Sequence, residues 1–127
     1  MNYLLDTHTF IWFMEGDETL PENTRNEIIH IKNNCFLSIA SVWEIAIKAG
    51  NGKLNLKVPF HKIAEYLKNT EIIILPIEHR HLQTLLHLEL IHKDPFDRLI
   101  IAQAITENYT IISKDKIIPQ YTVKSLW

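Results

Sequence analysis

Four short runs in this 127-residue chain, at 2–5, 35–37, 72–75 and 110–112, are almost wholly apolar, and segments of helical period separate them. A strand with one face in water alternates apolar and polar residues, whereas a strand that is apolar throughout has both faces covered, as in a parallel sheet. Parallel neighbours need a crossover, and the crossover is usually a helix. The expected fold is therefore α/β: a mostly parallel central sheet of four to five short strands, flanked by helices on both faces. Tyr121-Thr122-Val123 is the candidate for a fifth strand. The length suits a single domain over residues 1–127.

The spacing predicts a helix after the first strand, capped by Thr7 or Thr9 and running to Met14, and a second from Pro21 to about Asn33. Ser38 offers a cap for a helix over 39–49, in which Val42, Ile45, Ala46 and Ala49 share a face and Gly50-Asn51-Gly52 stops the run. Further helices are expected from Pro59 to Lys68, over 78–89, and from Pro95 to Asn108 or Tyr109. The last should turn Leu99, Ile100, Ala102, Gln103 and Ile105 inward.

No apolar stretch approaches the roughly 20 residues of a membrane span, and the N-terminus lacks the basic segment of a secretory signal. A cytoplasmic location with no membrane association follows by default. The one cysteine, Cys35, has no internal disulfide partner and reads as a small buried apolar residue. A net charge of −2 excludes a broadly basic nucleic-acid binder. Lys48, Lys53, Lys57, Lys62 and Lys68 do fall in a stretch whose one acid is Glu65, which reads as a solvated helix face or as a local rim for phosphates. His79, His81, His87 and His92 read as solvated, and Trp12, Phe13 and Trp43 as core.

Four acids sit against apolar runs. Asp6 ends the first strand, Glu44 lies near the buried sector of its helix, Asp97 opens the helix after Pro95, and Asp115 follows the run at 110–112. In a parallel sheet the site lies beyond the carboxyl ends of the strands, where these residues can converge. Carboxylates gathered there repel one another and lose solvation unless a hard cation neutralises them. An all-oxygen set suits Mg²⁺ or Mn²⁺, and no Cys/His spacing favours zinc. Singly, most of these acids have an ordinary structural role: Asp6 as a helix cap or Asx turn, Glu44 at a helix boundary, Asp115 as a turn residue and neighbouring Asp94 as a helix cap. Capping alone does not require the second acid, Asp97.

Taken in order, Leu4-Leu5-Asp6-Thr7-His8, Ser38-Ile39-Ala40-Ser41-Val42-Trp43-Glu44-Ile45, His92-Lys93-Asp94-Pro95-Phe96-Asp97-Arg98-Leu99-Ile100-Ile101-Ala102-Gln103-Ala104 and Ile112-Ser113-Lys114-Asp115 make the chain resemble the PIN-domain ribonucleases, in particular the VapC-like toxins of bacterial toxin–antitoxin pairs. The resemblance spans the chain, and the Asp-Pro-Phe-Asp-Arg run is its most specific part. It implies a PIN-like α/β domain that hydrolyses RNA with Mg²⁺ or Mn²⁺. Asp6, Glu44, Asp97 and Asp115 match the acidic quartet, with Asp6 and Asp97 the direct ligands and Asp115 and Glu44 completing the site. Asp94, Ser113 and Thr7 are accessory candidates. Implied partners are the RNA substrate, a cognate antitoxin protein and a second copy in a homodimer. His8 departs from the pattern, where many relatives carry Asn or another small polar group.

Three other functions fit less well. Asp6-Thr7-His8-Thr9 is similar to the start of haloacid dehalogenase-type phosphatases, but His8 replaces their second acid. A phospho-accepting signalling domain would carry its acceptor after a central strand, where Leu75 is followed instead by Pro76. A catalytically inactive PIN-fold module that binds RNA or protein is the main alternative, and divalent-metal titration of RNA cleavage separates it from a nuclease.

Overall fold

The computed structural model describes residues 1–127. In chain order the elements are β1 (Asn2–Leu5), α1 (Thr7–Glu15), α2 (Glu22–Ile29), β2 (Asn34–Ser38), α3 (Ile39–Gly50), α4 (His61–Lys68), β3 (Ile73–Leu75), α5 (His79–Leu86), α6 (Pro95–Glu107), β4 (Thr110–Ile112), a 3₁₀ turn (Ile118–Gln120) and β5 (Ser125–Leu126). The five strands form one sheet in the order β3-β2-β1-β4-β5, and every pairing is parallel. The expected α/β architecture is the one observed.

Both faces of the sheet are covered, as the apolar strands require. Along β1, Tyr3 and Leu5 enter a core with Phe10, Ile11, Ile28, Ile45 and Ile63 from α1, α2, α3 and α4. Leu4 points the other way, into a second core with Ile100, Ile101 and Ala104 of α6. On that side α5 packs against α6, and α3 also contacts α6. Enclosure of α6 buries Leu99 through Ala104 without a break, so Ile101 and Ala104 are inside too, while Ile105 is only partly covered.

The order of strands matters for function. From β1 the chain builds outward through β2 to β3, then returns to place β4 on the other side of β1. The reversal leaves a crevice beyond the carboxyl ends of β1 and β4, the place where open α/β sheets put their ligands.

Helix boundaries follow local chemistry. Asp6, rather than Thr7 or Thr9, caps α1 by accepting the Thr9 N–H at 2.8 Å; both threonines lie within the helix. Gly16 closes α1 in the left-handed region at φ 66, which costs an L side chain energy and glycine little. Ser38 caps α3 as expected, and Asp94 caps α6 with Pro95 in the first turn. The second helix ends at Ile29, four residues before the expected Asn33.

The final strand is displaced from its expected place. The Tyr121 ring is buried, and its hydroxyl accepts the N–H of Ile91 and of His92 at 3.0 and 2.7 Å while donating to the Glu89 carbonyl at 2.8 Å. This anchors Tyr121 to the loop before α6, and sheet pairing begins only at Ser125.

Candidate active site

The register of the sheet builds the first half of the site. Leu5 pairs with Ile112, so the next residues on each strand, Asp6 and Ser113, emerge side by side. The Ser113 hydroxyl donates to Asp6 Oδ2 in a short hydrogen bond and accepts the Asp115 N–H at 3.0 Å. Asp115 is held further by its Oδ1, which accepts the Ile117 N–H at 2.8 Å. Both Asp6 oxygens are thus engaged, one in capping α1 and one with Ser113.

Helices supply the other half. Ser38 starts α3 at the end of β2, and nearly two turns on Glu44 reaches the same crevice, only 2 % exposed. Glu44 accepts the Thr7 hydroxyl at 2.5 Å and pairs with Lys48 one turn further along α3. At the start of α6, Asp94 Oδ1 accepts the N–H of Phe96 and of Asp97 at 2.8 and 3.2 Å, a capping role. Asp97 lies in that first turn.

Together Asp6, Glu44, Asp94, Asp97 and Asp115 line one cleft of about 230 Å³, joined by His8, Trp12, Lys48 and Lys114. Every acid singled out from the sequence therefore converges on one place. Thr7 and Ser113 lie directly behind it, bonded to Glu44 and Asp6.

Electrostatics record the crowding. Burial, then the charge of Asp94, and further Glu44 and Asp6 push the Asp97 carboxyl up to about 7, with His92 opposing. Burial also raises Asp6 above its ordinary value, against the bonds from Ser113 and Thr9. Lys48 shows the same field from the other side. Its burial works against the charge, yet Glu44, then Asp94 and Asp97, hold the ammonium above the usual lysine value.

Such a cleft fits a divalent cation. Carboxylates from four parts of the chain face one small space, and Lys48, the cation nearest Glu44, is committed to it. A hard ion with oxygen ligands relieves that repulsion directly.

One member was missed from the sequence. His92, read as solvated, is 8 % exposed, and its Nε2 lies 2.7 Å from Asp115 Oδ2 and 3.3 Å from Asp97 Oδ2. These three residues hold their ligand-capable atoms within 4.8 Å of one another. Its place two residues before the Asp94 cap was the available signal. His81 is buried as well, but elsewhere: its Nε2 faces Glu107 at 3.2 Å, and Arg80 also pairs with Glu107. Burial opposes the shift there, but His81 and Arg80 prevail and hold Glu107 below the ordinary carboxylate range, so that cluster is already neutralised.

The aromatics and lysines divide. Trp12 and Phe13 are partly buried against the first core as expected, whereas Trp43 is 58 % exposed and meets Phe96 edge-on at 5.0 Å. Of the lysine stretch, Lys48 alone lines the cleft, where it serves Glu44, while Lys62 pairs with Glu65.

Comparison with known proteins agrees with the fold. The fold is similar to that of a chain in VapBC2 from Rickettsia felis bound to a promoter DNA fragment, with a TM-score of 0.76, 18% identity and coverage of 99% of this chain and 98% of that one. It is similar too to a chain of VapBC-1 from nontypeable Haemophilus influenzae, with a TM-score of 0.66, 16% identity and coverage of 99% and 97%. A third likeness, to a FitAcB chain from Neisseria gonorrhoeae, has a TM-score of 0.63 at 15% identity, covering 98% and 96%. No curated protein sequence matches. A family model for the PIN domain matches residues 3–124, nearly the whole chain, and the chain belongs to the PIN domain family.

Proposed function

We propose that the chain is a Mg²⁺- or Mn²⁺-dependent endoribonuclease acting as the toxin of a toxin–antitoxin pair. One observation carries this reading: Asp6, Glu44, Asp97 and Asp115, from four separate segments, meet in one cleft where Asp97 is driven to about 7. Asp6 and Asp97 are the proposed direct ligands, with Asp115 and Glu44 completing the set. The bound cation supplies Lewis-acid activation of water and offsets charge on the scissile phosphate.

The chain's own groups do the rest. Ser113 and the α1 backbone fix both oxygens of Asp6. Thr7 and Lys48 orient the Glu44 carboxylate. Exposed Lys114, on the cleft wall, is the group we assign to meeting the RNA phosphate.

The solved complexes named VapBC support an antitoxin protein as a partner, and a homodimer is part of the same proposal. No helix is long and apolar enough to cross a membrane, which accords with a proposed cytoplasmic site of action. The test is RNA cleavage by the wild type with Mg²⁺ or Mn²⁺, with EDTA, and by Asp6→Asn and Asp97→Asn. Cleavage should require the metal and vanish in both variants while their circular dichroism is unchanged. RNA retarded but never shortened would favour the inactive binding module, and full activity in EDTA would refute the metal reading.

A further inference from the structure

His92 touches two of the site's acids, and its hydrogen bonds fix how it can act. The Asp94 backbone N–H donates to Nδ1 at 3.1 Å, so that nitrogen carries a lone pair and the neutral ring's proton sits on Nε2. The Nε2–H then points at Asp115 Oδ2, and Asp97 Oδ2 lies 3.3 Å from the same nitrogen. The loop that carries His92 is held firmly. Tyr121 binds its backbone, and the Arg98 guanidinium donates to the carbonyls of Leu88 and Glu89 at 3.3 and 2.8 Å. Nδ1 is thus occupied, and a ring that offered Nε2 to a cation would turn an Nδ1–H against the Asp94 N–H.

We infer that His92 is a positioning residue: its imidazole links the acid after β4 to the acid at the start of α6, and it stays a donor to Asp115, never a ligand, when a divalent cation binds. This inference rests on the nuclease reading for the identity of the cation. Removal of hydrogen-bond partners behind metal ligands typically weakens metal binding about 10–100-fold.

The full-length wild type, His92→Ala and His92→Gln are compared by calorimetric Mn²⁺ titration, and the wild-type imidazole by ¹⁵N NMR with and without Mg²⁺. The glutamine amide can place an N–H near the Nε2 position. His92→Ala should bind Mn²⁺ about 10–100-fold more weakly, His92→Gln should recover most of the loss, and the ring should keep its Nε2–H signature at saturating Mg²⁺. Wild-type affinity in His92→Ala overturns the inference, as does loss of the Nε2 proton on Mg²⁺ binding. Should His92→Ala fail to fold, the glutamine variant and the wild-type spectra still decide. A wild type that neither binds Mn²⁺ nor cleaves RNA overturns the nuclease reading instead, and a metal-free ring protonated on Nδ1 would separately overturn the bridging role.

Discussion

Asp97 sets an energetic conflict at a single residue. Unfolded, it titrates near the ordinary aspartate value of 3.8; folded, near 7. Between these values the folded state holds a proton that the unfolded state has released, so metal-free stability falls as pH rises through that window. Above about 7 the full cost is present. Asp97→Asn should therefore make the metal-free protein more stable at pH 8 by about 2–4 kcal/mol, with little gain at pH 4. Urea denaturation in EDTA at both pH values checks this, and equal effects at the two would contradict it. The pattern of acids against apolar runs made Asp97 legible from the sequence. His92 and His81 were not, because a histidine's burial depends on partners distant in the chain: Asp115 lies 23 residues from one and Glu107 26 from the other.

At the scale of elements, α3 carries its own counter-charge. Glu44 is buried, and its hydrogen-bonding partners are Thr7 and Lys48. Lys48→Met removes the ammonium and should destabilise the fold by about 1–3 kcal/mol, less than for a fully buried pair because Lys48 is partly exposed. Adding Glu44→Gln should return most of that loss, since the neutral amide needs no cation. Denaturation of both single variants and the double variant measures the coupling, and additive effects would remove the pair from the account. The loop before α6 depends on the Tyr121 hydroxyl in a similar way. Tyr121→Phe leaves the Ile91 and His92 N–H groups unpaired and should cost about 1–3 kcal/mol, read as an earlier urea midpoint at unchanged slope. Most elements were legible because caps and breakers are local: Ser38, Asp94 and Pro95 mark their helices within one turn. The last strand was not, because Tyr121 has the β-forming character of a strand residue while its hydroxyl is claimed by a loop 29 to 32 residues away.

For the molecule as a whole, the sheet order turns scattered residues into a common centre. Apolar strands announced the parallel sheet, but the reversal at β1, which sets Asp6 beside Ser113, was not written in any one strand. The consequence is mechanical as well as chemical. The acids enter from the β1–α1 junction, α3, the start of α6 and the segment after β4, so a cation bound by them ties four parts of the fold together. Ligation to the native state alone should raise stability by about 2.7 kcal/mol when free Mg²⁺ is a hundred times its dissociation constant. Thermal unfolding at pH 8 should consequently shift upward with added MgCl₂ and not with NaCl at matched ionic strength. Asp97→Asn should start from a higher metal-free midpoint and respond much less to Mg²⁺. That opposite pair of effects distinguishes a site organised around a cation from a cluster of acids that is merely costly. A wild-type midpoint indifferent to Mg²⁺ and Mn²⁺ would leave the repulsion among these carboxylates without its proposed purpose.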